Sequence, residues 1–382
     1  MKAQNDKETS IVKNNFRIIN LNEKINIPEF RETGFKDWVE CGVDNLFPQF
    51  LVDVYHMKSI THKTIINRKV KMISGGGFAE SLDPKVNDFV KNKFSDDSLN
   101  DILIKISYDL EIHGGFALNI RWNQLGSEIA EISHIPFETV RVDKNNAENG
   151  LPRYYWVSQD WSYMRKHQPK KYQGFSRKYT ENKSQILYVT EYQPGSRMFY
   201  PIPSYYSSIN WVLAEWEISN WHRSSIQNGF SAGFILNFAT GVPTPEEMEV
   251  AYREIQEKYT GTWNAGKFIL TFSNGKDEEP KLEPIPLADT DARYKDLNDL
   301  IRQNIFTANE VTTPDLFGVA TPGQLGTKDQ LLEGLEVFQS VYISYKQIFI
   351  ERVFQKLADI NGATDKIKIK KYEINLTKIE GQ

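Results

Sequence analysis

Apolar residues recur every three to four positions from Ser59 to Ser74, where Ile60, Ile65, Ile66, Val70 and Ile73 alternate with Lys63, Arg68, Lys69 and Lys71. That spacing predicts a helix, ended by Gly75-Gly76-Gly77. A weaker helical pattern begins at Pro48, and a third helix is predicted from about Leu99 to Ile112. It closes at Gly114-Gly115, where a residue without Cβ takes positive φ freely. The rhythm then changes to strands at Phe116–Trp122, Ile129–Ile132, Thr139–Val142, Tyr154–Val157 and Ile186–Tyr192. Between the last two, the Lys- and Arg-rich stretch Tyr163–Lys183 reads as a solvated loop. Ahead of these elements, residues 1–37 are polar, with short alternating patches such as Phe16-Arg17-Ile18-Ile19. They read as an arm ordered only by a partner.

The second half has a different texture. A helix is predicted over Ser207–Asn228, carrying Trp211, Trp216 and Trp221. A small α/β insert follows, with strand Phe234–Phe238, a helix from Thr244 to Tyr259 and strand Phe268–Phe272. Thr244-Pro245-Glu246-Glu247 supplies an N-cap, a proline at the first helical position and acids in the first turn. Another helix is expected over Thr290–Ala308, then a Gly/Thr/Pro-rich loop over Thr312–Thr327. Leu331, Leu335, Phe338, Tyr342, Tyr345, Phe349, Val353, Leu357 and Ile360 place one apolar stripe on a helix from Lys328 to about Asn361. At ~1.5 Å per residue such a helix is about 50 Å long, and its stripe is expected to be buried against neighbouring copies in a ring or bundle. Residues Lys366–Leu376 alternate like an edge strand.

Composition narrows the chemistry. The chain has 382 residues, 40% of them hydrophobic and 25% charged, which fits a folded, water-soluble protein of two or three structural units. Forty-six Lys and Arg against 50 Asp and Glu give a net charge of −4, the wrong sign for tight capture of nucleic acid on a broad basic face. The single cysteine, Cys41, excludes an internal disulfide and a multi-cysteine metal site. It reads as a small buried hydrophobe in a reducing compartment. No signal peptide and no apolar run of membrane-spanning length is present.

Motif candidates are few. Gly261-Thr262-Trp263-Asn264-Ala265-Gly266-Lys267 satisfies GxxxxGK, but Phe268 follows where a nucleotide-binding loop needs a hydroxyl for Mg²⁺. The order is also reversed, with a helix before and a strand after, so a helix-to-strand turn is the plain reading. The six histidines show no ligand spacing, Asp289-Thr290-Asp291 fits a helix start, and no metal, cofactor or catalytic arrangement is expected. Rings at Tyr154, Tyr155, Trp156, Trp161 and Tyr163 lie among Arg165, Lys166, Lys170, Lys171, Arg177, Lys178 and Lys183. They either stack single-stranded nucleic acid or pack a sheet beneath a solvated loop.

Four segments in order carry a family resemblance: Gly42-Val43-Asp44-Asn45-Leu46-Phe47-Pro48; Tyr200-Pro201-Ile202-Pro203-Ser204-Tyr205-Tyr206 with the Trp-rich helix and Ile226-Gln227-Asn228-Gly229-Phe230; Asn264-Ala265-Gly266-Lys267; and Thr313-Pro314-Asp315-Leu316-Phe317-Gly318. From about Trp38 to Asn361 the chain resembles the portal proteins of tailed bacteriophages. The resemblance implies an α+β subunit, elongated, with a mixed α/β wing, two stem helices, a small α/β clip and a long C-terminal wing helix. Its parts would be an arm (1–37), wing (38–206), first stem helix (207–228), clip (229–286), second stem helix (287–309), tunnel loop (310–328), long wing helix (329–362) and a short tail (363–382) in place of a full crown.

The resemblance further implies a ring, typically a dodecamer, at one capsid vertex of the virion, assembled in the host cytoplasm. Double-stranded DNA would be packaged and ejected through it. Its partners would be copies of itself, the terminase large subunit, major capsid and scaffolding proteins and head-tail adaptors, with no membrane. Tunnel-loop contacts with DNA would fall to Thr312, Thr313, Thr321, Gln324, Thr327 and Lys328. Stem contacts would fall to Asp289, Asp291, Arg293, Asp296, Asp299 and Arg302. Clip docking would fall to Glu246, Glu247, Glu249, Arg253, Asn264 and Lys267.

Charge fits a sliding channel. Residues 276–310 hold nine acids and five bases, and rotational symmetry would repeat each as a ring that repels phosphate. The alternatives are a P-loop-like nucleotide-binding enzyme and a single-stranded nucleic-acid-binding protein.

Overall fold

The computed structural model describes residues 30–144, 152–177, 183–195, 199–227, 234–238, 244, 246–247, 249–250, 268–272, 290–318 and 328–373. Its centre is a six-stranded sheet of β3 (Gly115–Trp122), β4 (Ile129–Ile135), β5 (Val140–Val142), β6 (Tyr154–Val157), β7 (Lys170–Gly174) and β8 (Ser184–Thr190). Its order is β4-β3-β8-β7-β6-β5. Every pairing is antiparallel except β7 with β8, which runs parallel through Gln173 and Gly174. The stretch expected to be only a solvated loop thus contributes a strand. Lys170 to Gly174 read as too polar for one, but this is a mid-sheet strand whose partners supply backbone hydrogen bonds rather than apolar burial. A small ribbon of β1 (Phe30–Glu32) and β2 (Val39–Cys41) reaches this sheet through the Trp38–Asp143 bridge.

Helices α1 (Phe47–Asp53), α2 (Ile60–Ser74) and α4 (Leu99–His113) fall where the sequence pattern places them, and a further helix not expected there, α3 (Pro84–Lys91), is capped by Asp83. Ser59 caps α2 by accepting from the His62 amide, and Ser98 with Asp101 forms a reciprocal capping box on α4. Gly114, at φ 82°, ends α4 and turns the chain into β3.

Farther on come α5 (Ile209–Gln227), the parallel pair β9 (Phe234–Phe238) and β10 (Phe268–Phe272), and α6 (Thr290–Ala308). The long C-terminal helix is two pieces, α7 (Lys328–Phe338) and α8 (Ser344–Ala358), joined by a π turn over Gln339–Ile343.

The π turn corrects the expected stripe. One wide turn shifts the helical phase, so Phe338, Tyr342 and Ile343 face inward, followed by Ile350, Phe354 and Leu357. Tyr345, counted in the stripe from its spacing, points to solvent at 62% exposure. The inward stripe is also not reserved for neighbouring copies. It packs inside the chain's own main core, against Met72 and Ile73 of α2, Leu103 and Ile106 of α4, Val212 of α5 and Ile305 of α6. A second core lies between the β1–β2 ribbon, α1 and the β5–β6 end, around Val39, Phe47, Val142, Tyr200 and Tyr205.

Of the expected C-terminal edge strand the described residues form one bridge, Ile369 with Phe78, and residues 374–376 lie outside the described residues. The segment is held instead by Lys370 N donating to Gly77 O, Ala79 N donating to Lys368 O and Ile369 N donating to Glu351 of α8. Gly75 makes this docking possible. At φ 49°, a Cβ there would sit 2.0 Å from Lys370 O.

Candidate functional site

Helices α5 and α6 lie side by side and are rooted in the core through Ile209, Val212, Ile301, Ile305 and Phe306. Away from that root, Trp221 on α5 and Leu297 and Leu300 on α6 are exposed among the described residues. Asp296 and Asp299, one helical turn apart, flank the two leucines, and Asp296 and Arg302 are exposed. The side chains of Asp291 and Arg293 lie outside the described residues, as does Asp289.

Helix α6 leads into the base of the expected tunnel loop. Asn309 folds back to donate from Nδ2 to Ile305 O, and Glu310 takes φ 58° to turn the chain. Thr312 is exposed and Thr313 half-buried, and Pro314–Phe317 form a single tight turn. Leu316 and Phe317 plug this turn into the core, with Phe317 edge-on to Phe338. Thr321, Gln324 and Thr327 lie outside the described residues; Lys328 opens α7, its side chain likewise outside them.

Beneath that turn lies a buried charge network absent from the sequence reading. Lys69 Nζ of α2 donates to Tyr342 Oη at 2.9 Å and lies 3.4 Å from Glu111 of α4. The Tyr342 hydroxyl donates to Glu111 (2.8 Å), and Lys346 binds both oxygens of Glu191 at 2.7 Å. Burial works against charge on Glu111, but Lys69 and Lys346 outweigh it and hold the carboxyl below its ordinary range. The same balance raises Lys346, where Glu111 and Glu191 overcome burial. A cavity of about 350 Å³ opens beside the network, lined by Glu191, Tyr192, Glu310, Val341, Tyr345 and Lys346. The network joins α2, α4, the end of β8 and the π turn at the foot of the loop. It fixes the position of these four elements relative to one another.

On the outer side of the long helix a second apolar row runs through Val337, Val341, Tyr345 and Ile348. Of these four only Tyr345 was counted in the stripe expected from the sequence; Val337, Val341 and Ile348 were not singled out there. Of the clip residues, Glu246, Glu247 and Glu249 are exposed at a helix start capped by Thr244 and Glu247, whose groups bond reciprocally. Arg253, Asn264 and Lys267 lie outside the described residues.

The ring-rich candidate resolves toward packing. Tyr155 and Trp161 are buried, Trp161 Nε1 donates to Thr139 O, and Trp156 Nε1 donates to Asp143. Lys171 pairs with Asp143 at 2.9 Å and covers the Tyr154 ring, leaving Tyr163 as the exposed ring of the set. Cys41 is buried and its thiol is pushed up to about 12 by burial, against the pull of Arg141. Among the described residues a metal-capable trio, Asp109, His113 and Glu138, lies on the other side of α4 from Glu111.

Neither a protein-family model nor a curated protein matches the sequence. Solved structures do. A chain in the virion of a native gene transfer agent particle superposes at TM-score 0.55 with 13% identity, covering 87% of this chain and 84% of that one. A chain in the neck of the native particle, computed with C12 symmetry, gives 0.54, 14%, 85% and 83%. One in the neck of the empty particle, computed with C6 symmetry, gives 0.56, 12%, 87% and 85%. The chain shares their fold. Virion and neck particles are where the resemblance read from the sequence would place such a chain. A HK97-family phage portal protein from Corynebacterium diphtheriae is matched at TM-score 0.39, 12% identity and coverage of 81% and 92%, too low to add to this.

Proposed function

We propose that the chain is a portal-type subunit that closes with its copies into a ring, at a particle vertex, through which double-stranded DNA passes. The observation that carries this is the shared fold over 85–87% of the chain with chains of virion and neck particles, the necks having cyclic symmetry. Fold alone does not fix function, so the supporting evidence comes from surfaces. The exposed rows on α5–α6 and on the outer face of α7–α8 are what neighbouring copies in a ring would cover.

In this assembly α5 and α6 form the stem, and Asp296, Asp299 and Arg302 face the channel or its seams. The Thr312–Thr327 loop, anchored by Phe317, reaches toward the DNA, with Thr312, Thr313, Thr321, Gln324, Thr327 and Lys328 as its contacts. Residues 229–286 form the clip, where Glu246, Glu247, Glu249, Arg253, Asn264 and Lys267 meet the packaging motor and later the adaptors. Repeated acidic rings repel phosphate and let the duplex slide. The subunit performs no catalysis, and nucleotide hydrolysis belongs to a separate motor.

Purified chain imaged by negative stain is expected to show rings with an open axis wide enough for a duplex. A particle that stays monomeric at micromolar concentration, or a closed assembly without that hole, overturns the proposal.

A further inference from the structure

Asp109 and His113 sit four residues apart on α4 and so share a face, while Glu138 lies on the short turn Phe137–Thr139 between β4 and β5. One donor atom from each falls within 4.8 Å of the others. The His113 side chain is 2% exposed. Its Nδ1 is buried without an acceptor, and its Nε2 faces Glu138 Oε2 at 3.9 Å, too far for a hydrogen bond.

The buried ring thus faces a carboxylate oxygen across a gap that no hydrogen bond spans. The Asp109 carboxyl is held by His134, whose Nε2 lies 2.7 Å from Oδ2. That contact orients the carboxylate as an outer partner orients a metal ligand. Glu138 is part-exposed, which gives an ion a way in.

We infer that Asp109, His113 and Glu138 form a divalent-cation site suited to Zn²⁺, with His134 positioning Asp109. One nitrogen and two carboxylate oxygens match the donors zinc takes at ~2.0–2.2 Å. Around a tetrahedral ion at those lengths ligand atoms stand ~3.3 Å apart, so the trio closes inward on binding. Glu138 supplies that movement because its turn is short and its side chain reaches solvent. The guanidinium of Arg141 donates to Glu138 O and Asn45 Oδ1 and offsets one of the two carboxylate charges. With that offset and no acceptor for the His113 Nδ1 proton, the site lacks the outer support of the tightest zinc centres, and micromolar affinity follows. A bound ion ties the end of α4 to the β4–β5 corner. Sequence spacing hid the site because its ligands come from two distant segments.

The test titrates chelator-stripped full-length chain with ZnCl₂ by calorimetry and with CoCl₂ by visible absorption. One Zn²⁺ per chain with a micromolar Kd is expected, together with a cobalt d–d spectrum. Glu138→Gln should weaken zinc binding at least tenfold, His134→Asn by about 10–100-fold, and His113→Asn should remove the cobalt bands. Glu138→Gln keeps the backbone carbonyl that Gln49 and Arg141 use, so it remains informative if the His113 variant does not fold. Absence of binding at 100 µM metal overturns the site. So does binding that Glu138→Gln leaves within twofold of the wild type, which would assign the metal to other residues.

Discussion

The Glu111 carboxylate holds two buried ammonium groups and a tyrosine hydroxyl, and its removal leaves the buried Lys69 without the carboxylate it pairs with. Glu111→Gln should therefore destabilise the chain by about 3–5 kcal/mol in urea unfolding, as breaking a buried pair does. Tyr342→Phe, which removes a hydroxyl bonded to both charges, should cost about 1–3 kcal/mol by the same measurement. His62 predicts a pH response. Its ring is fully buried against Tyr205, both nitrogens lack partners, and burial with the Lys69 charge lowers it to about 3. The unfolded chain binds a proton near pH 6.5 that the folded chain refuses, so stability is full above that pH and is lost as pH falls toward 3. His113 adds to this limb, while Asp109, raised to about 6 by burial, opposes it between pH 4 and 6. Two histidines against one aspartate leave a net loss. Melting temperature should drop steeply from pH 7 to 5, and His62→Leu should flatten that limb by about half.

At the scale of elements, caps and glycines announced the helix ends. Ser59, Ser98, Gly75 and Gly114 are local signals, and local signals survive without knowledge of the fold. Strand β7 and the π turn were not legible for the opposite reason. A polar strand is made by its neighbours, and a phase shift is made by two core surfaces that a single helical register cannot satisfy. The same limit hid the Lys69–Glu111–Tyr342 network, whose members lie on three elements far apart in the chain, whereas Thr244 and Glu247 at the insert's helix start were plain. Gly75→Ala tests the tail's docking. A Cβ against the Lys370 carbonyl, at a φ that side chains avoid, should cost about 1–3 kcal/mol. Amide exchange at Lys370 and Ile369 should rise with it.

For the whole molecule, the outer row of the long helix is an apolar surface left exposed among the described residues. Val341→Glu combined with Tyr345→Ser changes side chains 65% and 62% exposed, so the single chain should keep its melting temperature within a degree or two. Rings, if this row lies in their seam, should fall apart to monomers in sedimentation velocity runs. Rings that persist unchanged would move the seam to the α5–α6 surface around Trp221, Leu297 and Leu300.

The docking of Lys368–Lys370 onto Gly75–Ala79 also has a temporal meaning. These partners are made roughly 300 residues apart, so during synthesis α2 and α4 must wait, with their shared core open, until the far segment has left the ribosome. A half-made chain should thus stay sticky and unfinished, depend on chaperones, and be unable to join its neighbours prematurely. Pulse-labelled nascent chains should gain protease resistance only once the 366–371 segment has emerged.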